Sequence, residues 1–131
     1  MRIAAAAALA LLIATASLPA AASGDWTEAQ SVVEVTTDYL FSPRHLRFRR
    51  GVAYRLQLEN RGAEMHQFSA PEFFKSVELG NPEVLNRDRT EIVLRPGERK
   101  LLLFRAREAG RFRLICPDHD WTGMIADITV E

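Results

Sequence analysis

The chain has 131 residues, with 17 Lys and Arg against 17 Asp and Glu, a formal net charge of zero and a single cysteine. Balanced charge argues against a general nucleic-acid or anionic-membrane binder, which needs a positive surplus, and one cysteine excludes an internal disulfide.

Met1-Arg2 is a short positive start, and Ile3 to Leu18 is an almost unbroken run of Ala, Leu and Ile. Pro19-Ala20-Ala21-Ala22-Ser23 then offers the small residues of a cleavage site. Residues 1–22 therefore read as a secretory signal peptide, cut after Ala22. An Ala-rich and Arg-rich chain behind such a signal points to a bacterium, and so to the periplasm. About 109 residues (23–131) are left, enough for one compact domain and too few for two. No later segment approaches the length of a transmembrane helix.

Beyond a frayed start at Ser23 to Glu28, the chain alternates apolar and polar residues. Val33 and Val35 alternate with their neighbours, then Leu46 and Phe48, then Tyr54, Leu56 and Leu58. Ile92 and Leu94 precede the turn signal Arg95-Pro96-Gly97-Glu98, and Leu101 to Phe104 follow it as an expected hairpin partner. Phe112, Leu114 and Cys116 share one face of the next strand, and Ile125 to Val130 closes the chain. This pattern predicts an all-β fold, an antiparallel Greek-key sandwich or barrel of about six to eight strands. Residues 70–89 break the rhythm and read as one short helix or a long loop. Pro71 is tolerated in the first turn of such a helix, and Phe73 and Phe74 plug the sandwich edge.

The chemistry lies in Cys116-Pro117-Asp118-His119-Asp120-Trp121-Thr122-Gly123-Met124, where a thiolate, an imidazole and a thioether fall within nine residues between two strands. A sandwich can bring His66, after the strand Ala53 to Glu59, beside that loop. An odd thiol in an oxidising compartment needs protection, by metal ligation or by burial. Taken singly, Cys116 reads as a small core residue, Met124 as core and His66 as a loop histidine. Together they make two His and one Cys with a weak axial Met, the donor set of an electron-transfer copper site.

The mature chain resembles the cupredoxins, the plastocyanin, pseudoazurin and azurin group of small blue copper proteins. The resemblance rests on Phe41-Ser42-Pro43, Tyr54 to Asn60, His66-Gln67-Phe68, Leu94 to Glu98, Gly110-Arg111-Phe112 running into Cys116, and Gly123-Met124. It implies one type 1 copper ion, with His66, Cys116 and His119 equatorial and Met124 axial. It also implies a monomeric electron carrier that passes electrons through an exposed His119 edge to a redox partner, such as a cytochrome or a copper oxidase or reductase. Gln67 departs from the family, where Asn or Ser after the first His helps tie the ligand segments together. Pro117 has no N–H to offer, whereas Asp118 keeps an N–H that can reach the sulfur and raise the potential. Asp118 and Asp120 place negative charge beside His119. Trp121 and Pro117 are candidates for an apolar docking patch.

His45 alternates with Leu46 and should face outward, and Glu64 shares the face of His66. Three histidines are too few for the second copper centre of a copper oxidase or nitrite reductase, so the chain does not read as an enzyme. A copper-handling role in resistance or delivery is the alternative, although Met-rich and His-rich tracts are lacking.

Overall fold

Alternation of side chains across the strands builds two five-stranded sheets in the computed structural model, which describes residues 25–131. The expected signal peptide, 1–22, lies outside the described residues. In chain order the elements are β1 (Gln30–Thr37), β2 (Leu40–Ser42), β3 (His45–Phe48), β4 (Ala53–Asn60), β5 (His66–Ser69), α1 (Pro71–Ser76), β6 (Val77–Leu79), β7 (Glu91–Leu94), β8 (Arg99–Ala106), β9 (Gly110–Ile115) and β10 (Ile125–Val130). One sheet runs β2-β1-β4-β8-β6 and the other β3-β10-β9-β5-β7.

The sandwich is the one expected, with differences that follow from where the chain changes sheets. Ten strands are found because β2 and β6, three residues each, are too short to show a period. The ladders β1–β4 and β3–β10 are parallel; β2 ends in one sheet, β3 begins in the other, and β4 returns beside β1. The Arg95–Glu98 segment does not close a hairpin. It carries the chain from β7, paired with β5, across to β8, paired with β4, and Gly97 takes the left-handed conformation the turn requires (φ 77°).

Between the sheets lies a cluster of aromatic rings. Phe48 meets Tyr54 and Phe104 with centroids 4.8 Å away in both cases, and Phe73 reaches Phe104 at 5.2 Å. Edge-on contacts of this kind add to the area buried. Helix α1 supplies Phe73 and Phe74, both buried, as the expected plug of the sandwich edge. His45 hydrogen-bonds Thr129 across the β3–β10 ladder (3.0 Å), while Leu46 faces the core.

Strand β1 turns polar residues of its alternating pattern toward the core. Val33 is 47% exposed, and Glu34 and Thr36 point inward and are fully buried. Pairing with β2 and β4 fixes this register, Val35 opposite both Ser42 and Glu59, and a strand locked on both sides cannot slip to save one side chain. Neither Glu34 carboxylate oxygen has a well-formed hydrogen bond. Burial pushes this carboxyl up to about 8, and the Ser42 backbone offsets only part of that.

The unfolded chain releases the Glu34 proton near pH 4.5, while the folded chain holds it to about 8. The native state is therefore not penalised below the first value and loses stability as pH rises toward the second. For the metal-free chain, urea unfolding at pH 5 and pH 8 should show a loss on the order of 3 kcal/mol from this group, and Glu34→Gln should flatten that slope. An unchanged slope in the variant would assign the pH dependence to other groups.

Candidate metal centre

Asn60, buried at the end of β4, organises the loop that leads to His66. Its Nδ2 donates to Glu64 O (2.7 Å) and Leu94 O (2.9 Å), and its Oδ1 accepts from Gly62 N (2.9 Å). Its backbone clamps the Arg95–Glu98 crossing through Glu98 O (3.0 Å) and Gly97 N (2.9 Å). His66 thereby begins β5 at a defined height, opposite Leu94.

The second segment spans the β9–β10 connection. Cys116 N donates to Met124 O (3.1 Å), closing the loop at its neck. Within it, His119 N donates to Cys116 O (2.9 Å), Thr122 N and Met124 N both donate to His119 O (3.0 and 3.3 Å), and Thr122 Oγ1 adds a 2.6 Å bond to the same carbonyl. Gly123 turns the chain back with φ 92°. Cys116 and Met124 are both fully buried.

Folding brings His66, Cys116 and His119 together. Their donor atoms form a small triangle: His66 Nδ1 to His119 Nδ1 3.3 Å, Cys116 Sγ to His119 Nδ1 3.4 Å and Cys116 Sγ to His66 Nδ1 3.9 Å. Such a triangle has its centre roughly 2 Å from each corner, the length of a metal–imidazole bond. The other ring nitrogens face carboxylates, His66 Nε2 against Asp38 Oδ1 (3.3 Å) and His119 Nε2 against Glu64 Oε2 (2.8 Å). With the protons on Nε2, both Nδ1 lone pairs point at each other and at sulfur, an arrangement a cation relieves. The donor set therefore fits a soft metal ion.

Three backbone N–H groups, of Gln67, Asp118 and His119, hydrogen-bond toward the Cys116 thiol and favour its thiolate. Burial outweighs them and holds the thiol above its ordinary value while no cation is present. The Asp118 N–H favours the thiolate in the expected sense, while the backbone N–H with a well-formed bond to the sulfur is that of Gln67 (3.5 Å). Gln67 does not break the tie between ligand segments. Its Nε2 donates to Asp118 Oδ2 (2.8 Å) while its Oε1 lies 3.1 Å from Cys116 Sγ, so a longer side chain crosses the same gap.

The expected open edge of His119 is corrected. Its side chain is 12% exposed, because Glu64 covers Nε2 and the Tyr39 ring meets it edge-on with centroids 5.1 Å apart. Glu64 thus faces the outer nitrogen of His119. Trp121 is 80% exposed, and its indole N–H donates to Asp118 O (3.0 Å).

Sequence reasoning passed over Asp38, Tyr39, Asn60 and Gly62. Asp38 caps the β4–β5 loop by accepting from Ala63 N (3.0 Å) and Glu64 N (3.3 Å), and these bonds, the Ala63 one foremost, hold its carboxyl below the usual range. An Asp in a turn signals such capping, but nothing in its neighbours says which distant loop it caps.

A family model described as a cupredoxin-like domain matches residues 3–130. Among solved structures, auracyanin B has a TM-score of 0.61 at 19% identity, over 82% of this chain and 93% of its own. The reduced auracyanin of Roseiflexus castenholzii gives 0.59 at 14%, over 79% and 98%. A multicopper oxidase from Campylobacter jejuni gives 0.57 at 18%, with 84% of this chain lying on 31% of that one. At these identities the likeness is one of fold. No curated protein sequence matches the chain. The fold and the His–Cys–His cluster are consistent with one type 1 copper.

Removing the Gln67 amide leaves the Asp118 carboxylate without its partner and unties the loop. Gln67→Ala should cost about 1–3 kcal/mol in urea unfolding of the metal-free chain, and Asp118→Ala should add little on that background. Fully additive losses would show that the two side chains do not act as a pair.

Proposed function

The chain belongs to the cupredoxin-like family, and from that premise we propose that it is an exported, periplasmic electron carrier with one type 1 copper held by His66, Cys116, His119 and Met124. The observation that carries this reading is the triangle of two Nδ1 atoms and one Sγ, each aimed inward, with both Nε2 atoms turned to carboxylates. Met124, fully buried at the neck of the same loop, would supply the fourth donor, a thioether. Copper there supplies one-electron exchange between Cu(I) and Cu(II).

The chain's own residues set how that exchange proceeds. Four protein donors leave no position for a substrate, so transfer is outer-sphere and the domain is not itself an enzyme. Backbone bonds within the Cys116–Met124 loop and the Asn60 clamp hold the donors in place, which limits reorganisation. Among the described residues no helix is long and apolar enough to cross a membrane, in keeping with a protein that diffuses between partners. Cys116, His66 and Met124 are all fully buried, which supports a shuttle over a copper-handling protein that must offer donors to an acceptor.

Electrons pass from His119 outward through its cover. Tyr39, Met65 and Trp121, 44%, 43% and 80% exposed, lie on the loops that bear or cover the donors and supply the apolar contact. Asp38 and Glu64, against the two imidazoles, and Asp118, held by Gln67, add negative charge there. This face suits a basic partner, a cytochrome or the docking surface of a copper oxidase or reductase, approached by a monomeric carrier.

The copper-loaded protein should show an intense visible thiolate-to-copper band that Cys116→Ser abolishes, and His66→Ala should lose stoichiometric copper. A copper-loaded wild type lacking the band would sink the reading. Electron transfer to a basic cytochrome should slow as salt passes about 0.1 M, where the screening length falls to about 10 Å, and a salt-independent rate would remove the acidic face from the account.

A further inference from the structure

Each imidazole of the donor triangle has an anionic oxygen at its far nitrogen. His66 Nε2 faces Asp38 Oδ1 at 3.3 Å and His119 Nε2 faces Glu64 Oε2 at 2.8 Å. Neither contact follows from the Cys-to-Met loop, since Asp38 lies in the β1–β2 turn and Glu64 in the β4–β5 loop. Resting on the ligand assignment above, we infer that Asp38 and Glu64 are paired positioning residues that fix both imidazoles by their outer N–H groups and bias the site toward Cu(II).

Both carboxylates are themselves held. Asp38 accepts from the backbone N–H groups of Ala63 and Glu64, which aim Oδ1 at the ring. Gly62 packs so tightly here that a Cβ would collide with Asp38 Oδ1 and come 3.0 Å from His66 Nε2. Glu64 Oε1 is 3.4 Å from the Tyr39 hydroxyl, whose ring in turn lies edge-on to His119. The His66 ring is fully buried, while the Asp38 side chain, 39% exposed, reaches its Nε2 from the solvent side.

The chemistry follows from the direction of the hydrogen bonds. An imidazole that donates its Nε2–H to a carboxylate becomes a stronger electron donor at Nδ1, and its tautomer and ring angle are fixed. Stronger donation, together with two nearby negative charges, favours the more highly charged oxidation state. The N–H groups around Cys116 act in the opposite sense, stabilising charge on sulfur, so the potential reflects a balance in which these two residues set the low side.

The test uses the copper-loaded protein and reads both the visible band and the midpoint potential. Glu64→Gln and Asp38→Asn remove the charge while keeping an oxygen acceptor, and Glu64, whose side chain is half exposed and which Asn60 holds only through its backbone carbonyl, is the variant least able to disturb folding. Expected is a retained band with the Cu(II):Cu(I) affinity ratio at least tenfold lower in the double variant, about 59 mV upward for one electron. Gly62→Ala, which pushes Asp38 off the ring with no loss of charge, should shift the ratio in the same direction. Asp120→Asn removes a charge that follows His119 in sequence but lines the surface with Glu72 and Arg113, and should leave the ratio within threefold. A retained band with no shift in the double variant, or an equal shift in Asp120→Asn, overturns the inference. A wild type without the band overturns the ligand assignment instead.

Discussion

Two imidazole nitrogens and a sulfur are made to face one another across less than 4 Å, and the surrounding structure exists to hold that repulsive arrangement still. Lone pairs converging on one point do not collect there unaided. The Asn60 clamp, the carbonyl of His119 with its three donors, and the carboxylates behind each ring bear the cost. A site held in this way is already shaped for its cation, so little rearrangement accompanies binding or a change of charge. Rigidity and donor choice are thus parts of one requirement.

Much of this was legible in the residues. Alternation in β3, β4, β9 and β10 revealed the sandwich, since each keeps one face in the core. The three donors nearest in sequence stood out because a loop of nine residues can present them to one point. Misreadings arose where a local pattern competed with a distant partner. Val33 and Val35 look like the inward face of β1, yet pairing on both sides turns Glu34 inward. The Arg95–Glu98 turn looks like a hairpin because turn chemistry does not record which sheet the next strand joins.

The surroundings of the site were the least legible part. Gln67 was visible as a departure, but its reach to Asp118 depends on how far apart two loops settle. Asp38 and Glu64 act on rings 28 and 55 positions away along the chain, and no spacing rule joins them. Their presence alters the familiar picture of an open histidine edge. The outer nitrogen of His119 is occupied by Glu64, and the aromatic ring of Tyr39 meets the imidazole edge-on. The outer side of His119 is thus its cover of Glu64 and Tyr39 rather than a bare ring edge.

The position of Asp38 bears also on how the molecule matures. Its turn belongs to the first hairpin among the described residues, while Cys116 to Met124 join the last strand pair described. The donor set and its supports are therefore gathered from both ends of the folded chain, through contacts of long sequence separation that form slowly. A nascent or half-folded chain has no binding point to offer. Metal capture becomes a late event, and the completed fold acts as the gatekeeper of which chains are charged.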